Sequence, residues 1–228
     1  MRMDKLILLV GPSGSGKTTV AYELYKEGYN VIQSYTTRKP RHEGEWGHIF
    51  MKLGSEWEEA IVERTLVGFE NMYPVKDKNY KYIDIDDMIA FKELYGDYYF
   101  ATKEQYRGKG TSIYVVDPSG AEQVRQSIQK PYSLVSSSGK TEFGAEIATI
   151  FLMCDEEIRT LRLASRIDEG LQIYKTSYLK TLPKIKERLE KDREIFSKCK
   201  CDYVVDANRE LKEVVKDIKE IIRGSDKH

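Results

Sequence analysis

Gly11, Pro12, Ser13, Gly14, Ser15, Gly16, Lys17 and Thr18 follow one another directly after an apolar run at residues 6–10. This is the order G-x-x-x-x-G-K-[ST], in which each residue type has a physical task. The glycines let backbone N–H groups approach anionic oxygens with no Cβ in the way. Lys17 adds a cation for terminal phosphates, and the Thr18 hydroxyl is a hard oxygen donor suited to Mg²⁺. Thr19 continues the turn into a helix expected over residues 17–27, whose N-terminal end carries partial positive charge toward the same anion. The implied ligand is a nucleoside triphosphate with Mg²⁺.

Further cations stand at spacings that suit a second phosphate. Ser34-Tyr35-Thr36-Thr37-Arg38-Lys39-Pro40-Arg41 places two arginines three residues apart with a stiff proline between them. Such a pair can offer bidentate hydrogen bonds to a phosphate group, although a solvated basic turn reads the same way. Arg162 and Arg166 lie four apart on a helical stretch, so they share one face, and Arg188 adds a third cation. Phosphoryl transfer needs cations around the migrating group, and that demand is what singles these arginines out.

The elements that must position these groups are short apolar runs alternating with helical stretches, the pattern of an α/β domain with a mostly parallel sheet. Strands are expected at residues 5–10, 30–33, 113–117, 147–153 and 203–205. Helices are expected at 17–27, 121–130 and 184–198. A last helix carries Leu211, Val214, Val215, Ile218, Ile221 and Ile222 on one face, with Asn208 as its N-cap. Residues 34–110 are richer in aromatics and glycine and read as a small lobe inserted in the core. Residues 131–144 and 170–182 show no clear periodicity.

Composition narrows the class. The chain has 228 residues, with lysine plus arginine equal to aspartate plus glutamate at 37 each, so bulk charge points to no nucleic-acid or membrane partner. Cys154, Cys199 and Cys201 fit neither a disulfide framework nor a zinc site, and His42, His48 and His228 form no ligand pattern. No apolar run approaches a membrane span, and the first residues do not read as a signal peptide. The expectation is a cytoplasmic protein. Its oligomeric state is not legible.

With these motifs in order, the chain resembles guanylate kinase and its nucleoside monophosphate kinase relatives. The phosphate loop is of that type. Residues 34–41 resemble the family's segment for the monophosphate, which implies acceptor contacts from Ser34, Arg38 and Arg41. Gly44-Glu45-Trp46-Gly47-His48-Ile49-Phe50 resembles a motif in which a tyrosine contacts that phosphate, here replaced by His48. Gly96-Asp97-Tyr98-Tyr99 makes Tyr99 a second phosphate ligand, with Thr102 close behind it. Asp117 matches an aspartate kept at a strand end, while a first aspartate is lost to Val115. Arg162, Arg166 and Arg188 match the lid arginines, which together with Lys17 form the catalytic set. The resemblance implies one P-loop NTPase-type α/β domain with core 1–33, 111–161 and 186–224, a monophosphate-binding lobe 34–110 and a lid 162–185. Residues 54–87, 131–144 and 170–182 are extra to the pattern.

Two departures concern the base. The glutamate that reads a guanine edge falls on Ala90, and the serine after the double tyrosine falls on Ala101. The resemblance therefore implies an ATP-dependent kinase of a nucleoside monophosphate, GMP or dGMP first, with looser base preference than strict relatives. A deoxynucleoside monophosphate kinase with another or relaxed base preference, a non-catalytic binding module of the same fold, and a P-loop kinase of another small acceptor are the alternatives. The intact phosphate loop speaks against the module, and the Arg38/Arg41 pair with Tyr99 against the other acceptor.

Overall fold

The computed structural model describes residues 3–51, 75–76, 82–83, 87–94, 96–129, 144–170 and 176–224. Most of 54–87, and 131–143, lie outside the described residues. The chain divides into two compact units, one built on Ile32–Ser112 with Glu122–Glu146, the other on Leu6–Val31, Ile113–Ala121 and Ile147–His228.

The second unit carries most of a five-stranded sheet. Its strands are β1 (Lys5–Val10), β2 (Asn30–Ile32), β9 (Thr111–Val115), β10 (Glu146–Met153) and β11 (Tyr203–Asp206), in the order β11-β10-β1-β9-β2. Strand β1 is buried along its whole length, because as the middle strand it has neighbours on both edges. β10 and β11 run parallel, with Ile150 opposite Tyr203. The helices are α1 (Lys17–Lys26), α2 (Pro118–Gln129), α3 (Glu156–Gly170), α4 (Thr176–Phe196) and α5 (Leu211–Gly224). Leu163 of α3 packs with Ile185 and Leu189 of α4, and Val214, Val215, Ile218 and Ile222 bury one stripe of α5.

The first unit is built on a four-stranded sheet of β3 (Ser34–Thr36), β4 (His48–Phe50), β7 (Met88–Leu94) and β8 (Asp97–Thr102), ordered β4-β3-β8-β7. β3 and β4 are parallel, and β8 is antiparallel to both β3 and β7. A separate pair, β5 (Val75–Lys76) and β6 (Tyr82–Ile83), is antiparallel.

Three local expectations are corrected. The helix expected at 184–198 starts earlier, at Thr176, and takes in Pro183 and much of the stretch that showed no periodicity. The helix expected from residue 121 starts at Pro118, where proline suits a first turn and Asp117 Oδ1 accepts the Gly120 N–H at 2.8 Å. Asn208 does not cap α5, whose first turn instead begins on the Glu210 carbonyl, reached by Val214 N–H at 3.2 Å. The Asn208 amide oxygen accepts the Asp155 N–H at 2.8 Å and so ties the turn after β10 to the turn after β11.

Candidate functional site

The phosphate loop turns from β1 into α1. Gly14 has φ +81°, and a Cβ there would meet the Arg159 carbonyl oxygen at 2.9 Å, so any side chain would drive the loop off α3. Gly16 sits at φ +93° directly before α1. No side chain caps this helix and its first turn holds no acid, which leaves the amide end facing an incoming anion. Lys17 Nζ donates to the carbonyl oxygens of Gly11 at 2.6 Å and Pro12 at 2.9 Å, arched back over the loop it belongs to. Gly11, Pro12, Gly14 and Ser15 are buried, Ser13 is half-buried, and Thr18 and Thr19 are exposed on the first turn of α1. Ser15 Oγ is buried with no hydrogen-bond partner.

Beside the loop is a cavity of about 350 Å³, its walls including Ser15, Gly16, Thr19, Val20, Arg162 and Val214. Arg162 reaches across from α3, donating to the Gly14 carbonyl at 3.4 Å and the Ala207 carbonyl at 3.1 Å. Of the two other expected lid cations, Arg188 is exposed on α4, and the Arg166 side chain lies outside the described residues. Among the described residues no group of three or more His, Cys, Asp or Glu is placed to hold a metal.

The four-stranded sheet assembles a second set. Pairing puts Ser34 beside His48, and Thr36 beside both Phe50 and Tyr99. Because strand residues alternate faces, Ser34, Thr36, His48, Phe50, Tyr99 and Ala101 therefore share one face. The His48 ring meets Tyr99 edge-on at 5.8 Å and Phe50 at 6.0 Å. Arg38, from the loop between β3 and β4, lies 5.3 Å over Phe50 and forks onto Glu45, with Nη2–Oε1 at 2.8 Å and Nη1–Oε2 at 3.2 Å. The Arg41 N–H donates to the same carboxylate at 2.6 Å, and its guanidinium stands 3.6 Å away.

Burial alone would raise the Glu45 carboxyl, but the Arg38 fork, the Arg41 N–H and both positive charges bring it down to about 2. His48 is held below its ordinary value, first by burial and then by the charges of Arg38 and Arg41, against opposing contributions from Glu45 and the Ser34 backbone. Arg38 Nε and His48 Nδ1 are buried without a hydrogen-bond partner. A buried donor left over in an otherwise paired cluster is what a ligand-binding site presents.

Arg38, Arg41, His48, Tyr99 and Ser34 are thus brought together on one sheet, while Thr102 of the same sheet is not. Thr102 alternates to the opposite face, with Tyr98 and Phe100, and its backbone N–H donates to Gln105 Oε1 at 3.1 Å at the start of the following turn. Asp117 belongs to the other unit and caps α2, with Oδ1 accepting from both Ser119 Oγ and Gly120 N at 2.8 Å. Three residues that the sequence reading gave no role also belong here. Glu45 aligns the arginines, and Arg159 and Asp192 back the phosphate loop.

No family model matches the chain. It is 27% identical over 218 residues to a guanylate kinase of Clostridium tetani, covering 91% of this chain and 93% of that one. It is 30% identical over 143 residues to a guanylate kinase of Mesomycoplasma hyopneumoniae, covering 57% of this chain and 72% of that one. The chain belongs to the guanylate kinase family. The crystal structure of a guanylate kinase from Anaplasma phagocytophilum shares the fold, with a TM-score of 0.57 at 16% identity over 100% of this chain and 89% of that one. Family membership accounts for the phosphate loop on a mostly parallel sheet and for the kinase-type, nucleotide-binding character of the chain. No helix among the described residues is long and apolar enough to cross a membrane.

Proposed function

We propose that this protein is an ATP-dependent nucleoside monophosphate kinase that moves the γ-phosphoryl group of ATP onto the phosphate of GMP or dGMP. A terminal phosphate oxygen of the acceptor attacks the γ-phosphorus, the β–γ bridging bond breaks, and ADP leaves with a nucleoside diphosphate as the second product. The acceptor oxygen is already anionic, so no side-chain base is required, and positioning with charge neutralisation carries the rate.

In this reading the phosphate loop and the open end of α1 hold the donor phosphates. Lys17 swings from the Gly11 and Pro12 carbonyls to the β- and γ-phosphates. Arg162, Arg166 and Arg188 meet charge developing on the transferred group. Mg²⁺ fits the exposed Thr18 hydroxyl, because this ion keeps several waters and takes few protein ligands beside nucleotide oxygens. When bound it neutralises charge between the β- and γ-phosphates. Arg38, Arg41, His48 and Tyr99 hold the acceptor phosphate.

The observation that carries the proposal is the Arg38–Glu45–His48–Tyr99 cluster with its two unpartnered nitrogens, in a chain that also keeps a complete phosphate loop. An ADP-release assay with MgATP against a panel of ribo- and deoxyribonucleoside monophosphates tests it. GMP- or dGMP-dependent ADP release is the expected result, and its absence with every acceptor would overturn the proposal.

A further inference from the structure

The phosphate loop is gripped from behind by two buried charges that phosphoryl transfer itself does not call for. Asp192 of α4 accepts the Ser13 N–H on Oδ2 at 2.8 Å, and the same oxygen takes Arg159 Nη1 of α3 at 3.2 Å. That Arg159 nitrogen also stands 3.5 Å from the Ser13 carbonyl. Arg159 is 5% exposed and Asp192 8%. Beside them the α3 backbone closes on Gly14 so tightly that a Cβ would fall 2.9 Å from the Arg159 carbonyl oxygen. Glu156, one turn before Arg159, extends the network outward by forking onto Arg193 of α4 at 2.6 and 2.9 Å.

A buried ion pair is a poor way to gain stability, since well-packed apolar residues of similar volume do as well or better. Its presence here has a local reason. The Ser13 N–H must find an acceptor, and Asp192 supplies one outside the cradle that the following amides form. Asp192 brings a charge into an apolar stripe, spaced seven and three residues from Ile185 and Leu189, and Arg159 neutralises it.

We propose that Asp192 and Arg159 are positioning residues that hold the phosphate loop in its donor-binding shape, so that donor affinity depends on the α3–α4 pair. A loop fixed before the nucleotide arrives loses less conformational freedom on binding, and donor affinity is where that gain appears. The inference rests on the donor reading above.

The test combines equilibrium binding of MgATP and of GMP with amide hydrogen exchange at Ser13 in the full chain. Asp192→Ala is expected to weaken MgATP binding about tenfold, to leave GMP affinity within about twofold and to speed exchange at Ser13. Asp192→Asn keeps an acceptor for that amide and is expected to retain most of the affinity. The double change Arg159→Met/Asp192→Leu removes both charges together, which guards against a variant that fails only because one charge is stranded. It too is expected to lose donor affinity. Wild-type donor affinity and Ser13 protection in the double variant would overturn the proposal, as would equal losses for both ligands in Asp192→Ala. Failure of the wild-type protein to bind MgATP would overturn the donor reading, and Ser13 exchange would then decide the loop contact by itself.

Discussion

Glu45 holds Arg38 by two parallel hydrogen bonds while accepting the backbone N–H of Arg41, so a single carboxylate fixes the direction of both arginines. The loop between β3 and β4 is only eleven residues long, residues 37–47, and joins two parallel strands, a connection that normally takes a dozen or more. Glu45 is the internal strut of that short crossover.

Glu45→Gln is therefore expected to lower stability by about 1–3 kcal/mol at neutral pH, the scale of losing charge-assisted hydrogen bonds. It should also raise the KM for the monophosphate several-fold, because the two guanidinium groups lose their common anchor. The KM for ATP should not move. Denaturant melts and steady-state kinetics check both parts, and an unchanged acceptor KM would show that the arginines orient themselves.

Lys17→Ala removes the ammonium from the phosphate loop and is expected to reduce kcat by at least about 100-fold while the fold survives. Circular dichroism and the ADP-release assay read the two outcomes. A variant keeping more than about a tenth of wild-type turnover would remove Lys17 from the catalytic set.

Arg38→Ala and Arg41→Ala should each raise the KM for the monophosphate far more than that for ATP, because in the proposed reading both hold the acceptor phosphate. Arg166→Ala should depress kcat instead, as a cation acting on the transition state does. Equal effects of Arg38→Ala on the two substrates would displace the acceptor phosphate from this cluster.

The parts of the candidate site whose placement was legible in the sequence are those whose geometry is carried by local order. The phosphate loop is contiguous, and its glycines, lysine and threonine fix their own geometry. Arg38, Arg41, His48 and Tyr99 were legible because short ordered motifs flank them. Thr102 was misplaced because nearness in sequence was read as nearness in space. A strand turns neighbours to opposite faces, so Thr102 leaves the face that Tyr99 and Ala101 share. Arg159 and Asp192 were hidden for the opposite reason. Asp192 stands between Lys191 and Arg193 and looks solvated, although its place in the stripe of Ile185 and Leu189 is an inward one. Only tertiary packing shows that the loop needs an acceptor there.

His48 gives the site a pH dependence with a defined sign. Its pKa in the fold lies below the unfolded value of about 6.5, so the unfolded chain binds more protons and stability contributed at this position falls as pH drops through 6.5. An acceptor phosphate beside the ring favours the imidazolium, so binding takes up a proton there. Relative to His48→Phe, the wild-type protein should thus lose stability but gain acceptor affinity as pH is lowered from about 7.5 to 5.5. Paired thermal melts and KM measurements at each pH check the two slopes, and the comparison with His48→Phe cancels titration of the nucleotide itself. Parallel slopes in both proteins would mean that His48 does not meet the phosphate.

Ala90 and Ala101 are cross-strand partners on β7 and β8, buried at 7% and 0% exposure. The two positions at which the family resemblance expects guanine-reading polar groups therefore face each other as methyl groups. A site that hydrogen-bonds a base rejects analogues lacking that group by about 10⁴ or more, whereas an apolar one discriminates only about 10- to 200-fold. The monophosphate panel should accordingly show graded selectivity, with GMP or dGMP ahead and other bases still turning over. Ala90→Glu should sharpen that preference by raising the ratio of kcat/KM for GMP over AMP about tenfold or more, the scale of one hydrogen bond to a charged group. The same variant should leave the ATP KM alone, since β7 carries none of the phosphate-loop residues. If wild-type protein turned over GMP alone, with every other base silent, a carboxylate other than residue 90 would be reading the guanine edge, and the facing alanines would have no part in selectivity.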